Sequence, residues 1–265
     1  MTFYKNPVLL VDGHNLLFKS FFGLPRFTSR YGVEVHGVVG FLGILRKMIE
    51  ISDTKYCYVV FDGEHSGERK KLNRQYKANR KKYDTISNNP FTQLNPIKKA
   101  LSHLDIYWEE VKKYEADDII ATVVKKRPSW EVVIASYDSD FFALVDKRVK
   151  ILRYKGGNSY YVDQEWIIEK FGIQPSQFSL FKAIAGDKAD NIVGVPGMGP
   201  VAARKITKEN LPLSESQKKH VAESMKLIQL KNDVTHKTPT KKLIKLPKNI
   251  REIKITKELE FLGIL

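Results

Sequence analysis

The sequence predicts an α/β fold, with a mostly parallel central sheet, helices on both faces and a helical C-terminal region. Two observations carry this. Short apolar runs of strand length alternate with stretches of helical apolar spacing, the pattern of a covered parallel sheet. Three of those runs lead straight into aspartates, as strands do when they deliver side chains to one sheet edge.

The elements follow in order. Val8–Val11 reads as a buried strand. Val38, Leu42, Leu45 and Ile49 recur at helical spacing, and Tyr56–Phe61 forms a second strand around Cys57, the one cysteine of the chain. Pro96–Leu104 and Asp117–Lys126 read as helices, Glu131–Ser136 as a third strand, and Phe141–Val145 as helical again. Val149–Tyr154 and Ser159–Val162 flank Gly156-Gly157-Asn158, a hairpin signature. Helices are expected over Pro175–Gly186, from Pro200, and over Glu215–Lys231; the last thirty residues, Lys-rich with Pro239 and Pro247, read as an extended or loosely packed tail. The expected division is an α/β core over 1–172, carrying a basic arch at about 64–95, and a helical subdomain with a basic tail over 173–265.

Composition narrows the partner. The chain has 265 residues, a formal charge of +15 and 42% hydrophobic residues. That composition suits a folded protein whose excess charge favours a polyanion, nucleic acid ahead of an anionic membrane surface. One cysteine excludes an intrachain disulfide and a zinc finger. The six histidines (14, 36, 65, 103, 220 and 236) have no ligand spacing, and Ser20 and Ser136 have no evident His partner, so all are read as structural or surface residues. No apolar stretch spans a bilayer and no signal peptide is visible, so a cytoplasmic location is expected.

The acidic residues fall in four settings. Asp12 follows the first strand, Asp62 the second, and Asp138 and Asp140 the third; Glu115, Asp117 and Asp118 open a helix; Asp187 and Asp190 sit in Gly186-Asp187-Lys188-Ala189-Asp190-Asn191. Singly, each could be a turn residue, a helix cap or a partner of the helix dipole. Together they repel unless cations neutralise them, and hard divalent ions prefer such oxygens.

Residues 69–82 hold eight basic side chains in fourteen positions and no acidic one. A solvated helix face mixes signs, so Arg74, Lys81, Lys82 and their neighbours point to a phosphate backbone, with Tyr76 placed to stack on an unpaired base. A disordered basic loop is the plainer alternative. Gly194, Gly197 and Gly199 form a glycine-rich loop entering a helix, a weak phosphate-binding signal that Lys188, Arg204 and Lys205 strengthen.

These segments resemble the 5′ nuclease (flap endonuclease) superfamily, above all the 5′–3′ exonuclease domain of bacterial DNA polymerase I and its stand-alone bacterial and phage relatives. The matching pieces are Val11-Asp12-Gly13, Phe61-Asp62-Gly63, Tyr76-Lys77-Ala78-Asn79-Arg80, Glu115-Ala116-Asp117-Asp118, Asp138-Ser139-Asp140, Gly186–Ile192 and Gly194–Gly199, over about three-quarters of the chain. The resemblance implies that Asp12, Asp62, Glu115, Asp117, Asp118, Asp138 and Asp140 bind Mg²⁺ (or Mn²⁺), two or more ions per site, with Asp187 and Asp190 completing a second, weaker position. It implies that Lys77 and Arg80 contact the scissile phosphate in a helical arch, that Arg69 is a family arginine beside them, and that Gly194–Lys205 is a helix–hairpin–helix gripping duplex backbone, often with K⁺. Tyr137 departs from the glycine that the polymerase-linked domains usually carry. The expected activity is two-metal hydrolysis of branched or 5′-ended DNA (RNA–DNA primer ends included) to a 5′-phosphate, by a stand-alone monomer without a membrane. A PIN-type ribonuclease and a non-catalytic DNA-binding module are the other readings.

Overall fold

A computed structural model describes residues 6–63, 68–79 and 89–265. In chain order the elements are β1 (Val8–Asp12), α1 (Gly13–Gly23), α2 (His36–Ser52), β2 (Tyr56–Asp62), α3 (Glu68–Leu72), α4 (Leu94–His103), β3 (Trp108–Val111), α5 (Ala116–Lys126), β4 (Val132–Ala135), β5 (Val149–Arg153), β6 (Tyr160–Val162), α6 (Gln164–Phe171), α7 (Phe178–Ala185), α8 (Pro200–Glu209), α9 (Glu215–Ile228) and α10 (Ile255–Phe261). Short 3₁₀ turns cover Pro90–Gln93, Asp140–Leu144 and Pro175–Gln177.

The six strands run in the order β3-β2-β1-β4-β5-β6. All neighbours are parallel except β5 and β6, the hairpin expected from Gly156-Gly157-Asn158. β1 is central because its residues 8–11 are apolar and fully buried on both faces. Alternation then splits the core. Val8, Leu10, Tyr58, Val60, Val132 and Ile134 face α5, α7 and α9. Leu9, Val11, Cys57, Val59 and Phe61 face α1, α2 and α4. Each fully buried side chain of this kind contributes about 1.5–3 kcal/mol.

The chain steps from β1 outward through β2 to β3, then returns to the other side of β1 for β4. The carboxyl ends of β1, β2 and β4 therefore border a crevice at the point where strand order reverses, the usual ligand position in such sheets.

Several elements differ from the sequence expectation. α1 and α6 were not foreseen, nor was β3, whose Trp-Glu-Glu-Val is half-exposed at the sheet edge. The expected arch is, where described, the short α3 followed by turns over 73–79. The tail is not loose. Residues 244–246 pair with the start of β2 (Cys57 N–H to Ile244 O, 2.9 Å; Leu246 N–H to Lys55 O, 2.9 Å), and Ile244, Leu246, Ile250 and Leu259 are buried. Prolines at 239 and 247 permitted an extended strap, and apolar residues between the lysines anchor it.

Candidate active site

Asp12 ends β1 and caps α1, accepting the Asn15 N–H at 3.0 Å. Its other oxygen accepts the Ser136 hydroxyl at 3.0 Å. Asp62 ends β2; its Oδ1 accepts the Ala116 N–H at 2.8 Å, tying β2 to the start of α5. Glycine is required beside both. A Cβ on Gly13 would stand 2.5 Å from the Phe61 ring, and one on Gly63 2.1 Å from the Val111 carbonyl. Asp138 follows β4 in a turn closed by the Ser136 hydroxyl (3.0 Å) and by its own carboxylate on the Asp140 N–H (2.9 Å).

Asp12, Asp62, Glu115, Asp117 and Asp138 line one cleft of about 840 Å³ at the switch point, together with Lys77. Burial, then repulsion from Asp62, pushes the Asp12 carboxyl up to about 7. Asp117 is also raised, by burial first, with Asp118 and Glu115 adding to it against Arg69. Lys77, in the left-handed region at φ 55°, places its Nζ 3.1 Å from Glu115. Burial would lower that ammonium, but Glu115 together with Tyr76, Asp117 and Asp190 outweighs it and the pKa is raised. His14, Phe18 and Phe91 line the same cleft. Among the described residues, no three His, Cys, Asp or Glu side chains already form a cation cage.

Other expected site residues stand elsewhere. Asp118 is buried and does not line the cleft: Arg69 donates to both its oxygens (2.7 and 3.1 Å), and the Lys231 N–H adds a third bond at 2.8 Å. Arg69, expected on DNA, is 3% exposed and also donates to Glu115 at 3.0 Å and to the Gln229 carbonyl at 3.3 Å. It locks the α3 base to α5 and to the strap after α9. Tyr76, expected to stack on a base, is 2% exposed and packs in the core. Both residues alternate with solvated cations in sequence, so charge density alone misplaced them.

Asp140 and Asp187 converge on Lys182 of α7, Asp187 at 2.5 Å. Burial and Asp138 push the Asp140 carboxyl up to about 7 against the pull of Lys182. Asp187 is lowered: burial opposes this, but Lys182 outweighs it. Asp190 is buried, and its carbonyl accepts the Lys77 N–H at 2.9 Å. Arg74, Lys188, Arg204 and Lys205 are exposed, as are Gly197 and Gly199. Gly194 serves packing, since a Cβ would stand 2.5 Å from the Ala185 carbonyl carbon. Arg80, Lys81 and Lys82 lie outside the described residues.

Residues 7–172 match the family described as 5′-3′ exonuclease, N-terminal resolvase-like domain. The chain belongs to the 5′–3′ exonuclease family. It is 39% identical over 207 residues to the thermostable DNA polymerase I of Thermus thermophilus, covering 77% of this chain and 24% of the polymerase. It is 33% identical over 203 residues to a 5′-3′ exonuclease of Aquifex aeolicus, covering 76% and 68% of the two chains. The chain thus spans about a quarter of the polymerase and two-thirds of the exonuclease. The fold is shared with the T5 D15 protein co-crystallized with metal ions, at a TM-score of 0.69 and 21% identity over 86% of this chain and 90% of that one.

Five residues of this 5′–3′ exonuclease-family chain escaped the sequence reading: Lys182, Lys19, Arg153, Asn15 and His14. Lys182 carried a signal, a lone lysine inside the apolar run Phe178–Ala185. Lys19 places its Nζ 4.3 Å from the Tyr137 ring, which Arg153 flanks at 5.3 Å. Tyr137 therefore packs between two cations beside the Asp138 turn. Once α1 is recognised, Asn15 and Lys19 fall one turn apart on the face toward that turn, and Asn15 accepts the Tyr137 N–H at 3.0 Å. His14 was dismissed for lack of ligand spacing; its Nδ1 accepts the Asp62 N–H at 2.8 Å, and burial lowers its pKa and keeps it neutral.

Proposed function

We propose that this chain hydrolyses DNA phosphodiester bonds near 5′ ends and flaps, as a 5′–3′ exonuclease and flap endonuclease that leaves 5′-phosphate. The observation that carries this reading is the convergence of Asp12, Asp62, Glu115, Asp117 and Asp138 with Lys77 on one cleft at the sheet switch point. Family membership supports it, as does the crystallisation of a T5 D15 flap endonuclease with DNA and metal ions.

The outer carboxylates fit a hard divalent cation. They offer oxygen donors only, and the Asp12 carboxyl is raised by burial and then by repulsion from Asp62, a repulsion that a bound cation would relieve. Asp12, Asp62, Glu115, Asp117 and Asp138 would hold it. A divalent cation there supplies Lewis-acid chemistry at the phosphate, and the family resemblance implies two such ions. The inner group of Asp140 and Asp187 does not fit one equally well, because Lys182 already holds both carboxylates.

The chain's own residues do the rest. Lys77, anchored on Glu115, brings a fixed positive charge to the phosphate where negative charge builds up. Ser136 and Asn15 orient Asp12. The exposed Lys188, Arg204 and Lys205, around the loop that leads into α8, would hold duplex backbone as a helix–hairpin–helix, with K⁺ as the ion that motif often carries.

The test is cleavage of a labelled 5′ flap by the purified chain with Mg²⁺. Mg²⁺-dependent products bearing 5′-phosphate are expected, with EDTA abolishing them. Asp62→Asn should lower turnover by roughly a thousandfold, about 4 kcal/mol of barrier. Cleavage that persists in EDTA, or an RNA flap cut in preference to its DNA counterpart, would reject the reading.

A further inference from the structure

We propose that Lys182 is the resident cation of the inner acidic group, so that Asp140 and Asp187 are neutralised by an ammonium of the chain itself and not by a second divalent ion. The proposal builds on the reading of the outer cleft as a cation site. Its own basis is separate: Asp187, which the family resemblance assigns to a weaker metal position with Asp190, already meets a buried positive charge.

Lys182 is 6% exposed, on a helix whose other residues are Phe178, Ser179, Leu180, Phe181, Ala183, Ile184 and Ala185. Such a helix would not bury a lysine without a partner, because an isolated ammonium is strongly disfavoured in apolar surroundings. The partners are Asp140 Oδ1 and Asp187 Oδ2. Both carboxylates are held from behind. Asp187 accepts the Ala189 N–H at 2.8 Å, and its backbone pairs both ways with Ile192 at 2.8 Å. Asp140 opens the 3₁₀ turn that packs against α7. The Lys182 and Asp140 side chains are 8% and 6% exposed, whereas the Asp62 side chain in the outer cleft is 45% exposed.

A divalent ion at the inner group needs the oxygens that Lys182 holds. It would have to displace the ammonium from both partners into the packing of α7. A tethered cation needs no such displacement and loses no translational freedom on each visit. The outer cleft has Lys77 on Glu115 and Lys98 on Glu110, but among the described residues no ion pair joins Asp12, Asp62 or Asp138 to a lysine or arginine.

Mn²⁺ binding decides the matter, counted by the electron paramagnetic resonance of free Mn²⁺ during titration of the whole chain without DNA. The wild type and Asp187→Asn should bind equal numbers of Mn²⁺. Lys182→Met should bind one more, and Lys182→Met/Asp187→Asn should lose that extra ion. In EDTA, Lys182→Met should melt below the wild type, and saturating Mn²⁺ should raise its Tm by more than it raises the wild type's, because the ion then replaces the missing ammonium. A lower count for Asp187→Asn than for the wild type overturns the proposal, as does a folded Lys182→Met that takes up no additional ion. If Lys182→Met does not fold, the Asp187→Asn comparison decides alone. Asp62→Asn separates the two readings: an unchanged count there removes the outer-cleft site and leaves the inner comparison standing.

Discussion

The outer and inner acidic groups are built from the same residue type and solve the same electrostatic problem in opposite ways. In the outer cleft, Asp12, Asp62 and Asp138 meet at the ends of three strands, and Asp12 is pushed up to about 7 by burial and by Asp62. Further in, Asp118 has Arg69 against it, and Asp140 and Asp187 have Lys182, although burial still pushes Asp140 up to about 7. An acidic cluster left uncompensated is poised for an external cation. One closed by its own lysine and arginine is already a piece of architecture. The difference teaches that counting carboxylates locates a site, and that the cations packed behind them tell which ones are free to act.

The sharpest way to break this contrast is to remove an internal cation. Arg69→Ala leaves Asp118 buried at 3% exposure with its charge unmet. Loss of one partner of a buried pair costs about 3–5 kcal/mol. Urea unfolding of Arg69→Ala should show a loss of that order, whereas Lys71→Ala, two residues further on and exposed, should stay within about 0.5 kcal/mol of the wild type. Equal stability of the two variants would show that Arg69 is not a structural member of the inner group, and would return it to the DNA-binding surface that the sequence suggested.

That reversal for Arg69 marks the limit of what the sequence reveals. The strand-then-aspartate pattern was enough to place Asp12, Asp62 and Asp138 at one edge, because a parallel sheet aligns the carboxyl ends of its strands. The hairpin after Asn158 and the helices around the loop at 194–199 were legible from turn residues and apolar spacing. Long-range pairing was not. Nothing near Arg69 announces Asp118, forty-nine residues away, or the Gln229 carbonyl, 160 residues away. β3 hid behind its two glutamates, one of which takes the Tyr107 hydroxyl at 2.8 Å and stands 3.3 Å from the His236 ring nitrogen. The terminal strap hid behind its lysines, since its apolar anchors Ile244, Leu246 and Ile250 are too far apart to show a period.

A smaller effect sharpens the outer half of the comparison. With its carboxyl at about 7 in place of the ordinary 3.8, Asp12 keeps a proton in the folded chain that the unfolded chain gives up. The folded state then binds more protons between those values, so stability falls as pH rises from about 4 to about 7. Below about 4 both states are protonated and the penalty is absent. In EDTA, the urea midpoint of the wild type should therefore drop relative to Asp12→Asn across this window. Saturating Mg²⁺ should flatten the difference, because the ion offsets the repulsion that raises the carboxyl. Parallel pH profiles for the two chains in EDTA would mean that the outer group is not under electrostatic stress.

The smallest effect concerns cations that face solvent instead of carboxylates. Arg204 and Lys205 are exposed in the middle of α8, past the Gly197–Gly199 turn, where a phosphate backbone could reach them. Each phosphate contact contributes about 0.9 to the slope of log affinity against log salt. Measured with a duplex flap in Ca²⁺ or EDTA to prevent turnover, Arg204→Ala and Lys205→Ala should each reduce that slope by roughly this amount and weaken binding almost independently of sequence. Lys125→Ala is the control, because Lys125 lies at the far end of α5 from Glu115 and bonds Asn232 at 2.8 Å. Its slope should match the wild type. If Lys125→Ala lowers the slope as much as Arg204→Ala does, the excess charge of +15 acts as a diffuse field, and the α8 surface is no more a DNA grip than any other basic face.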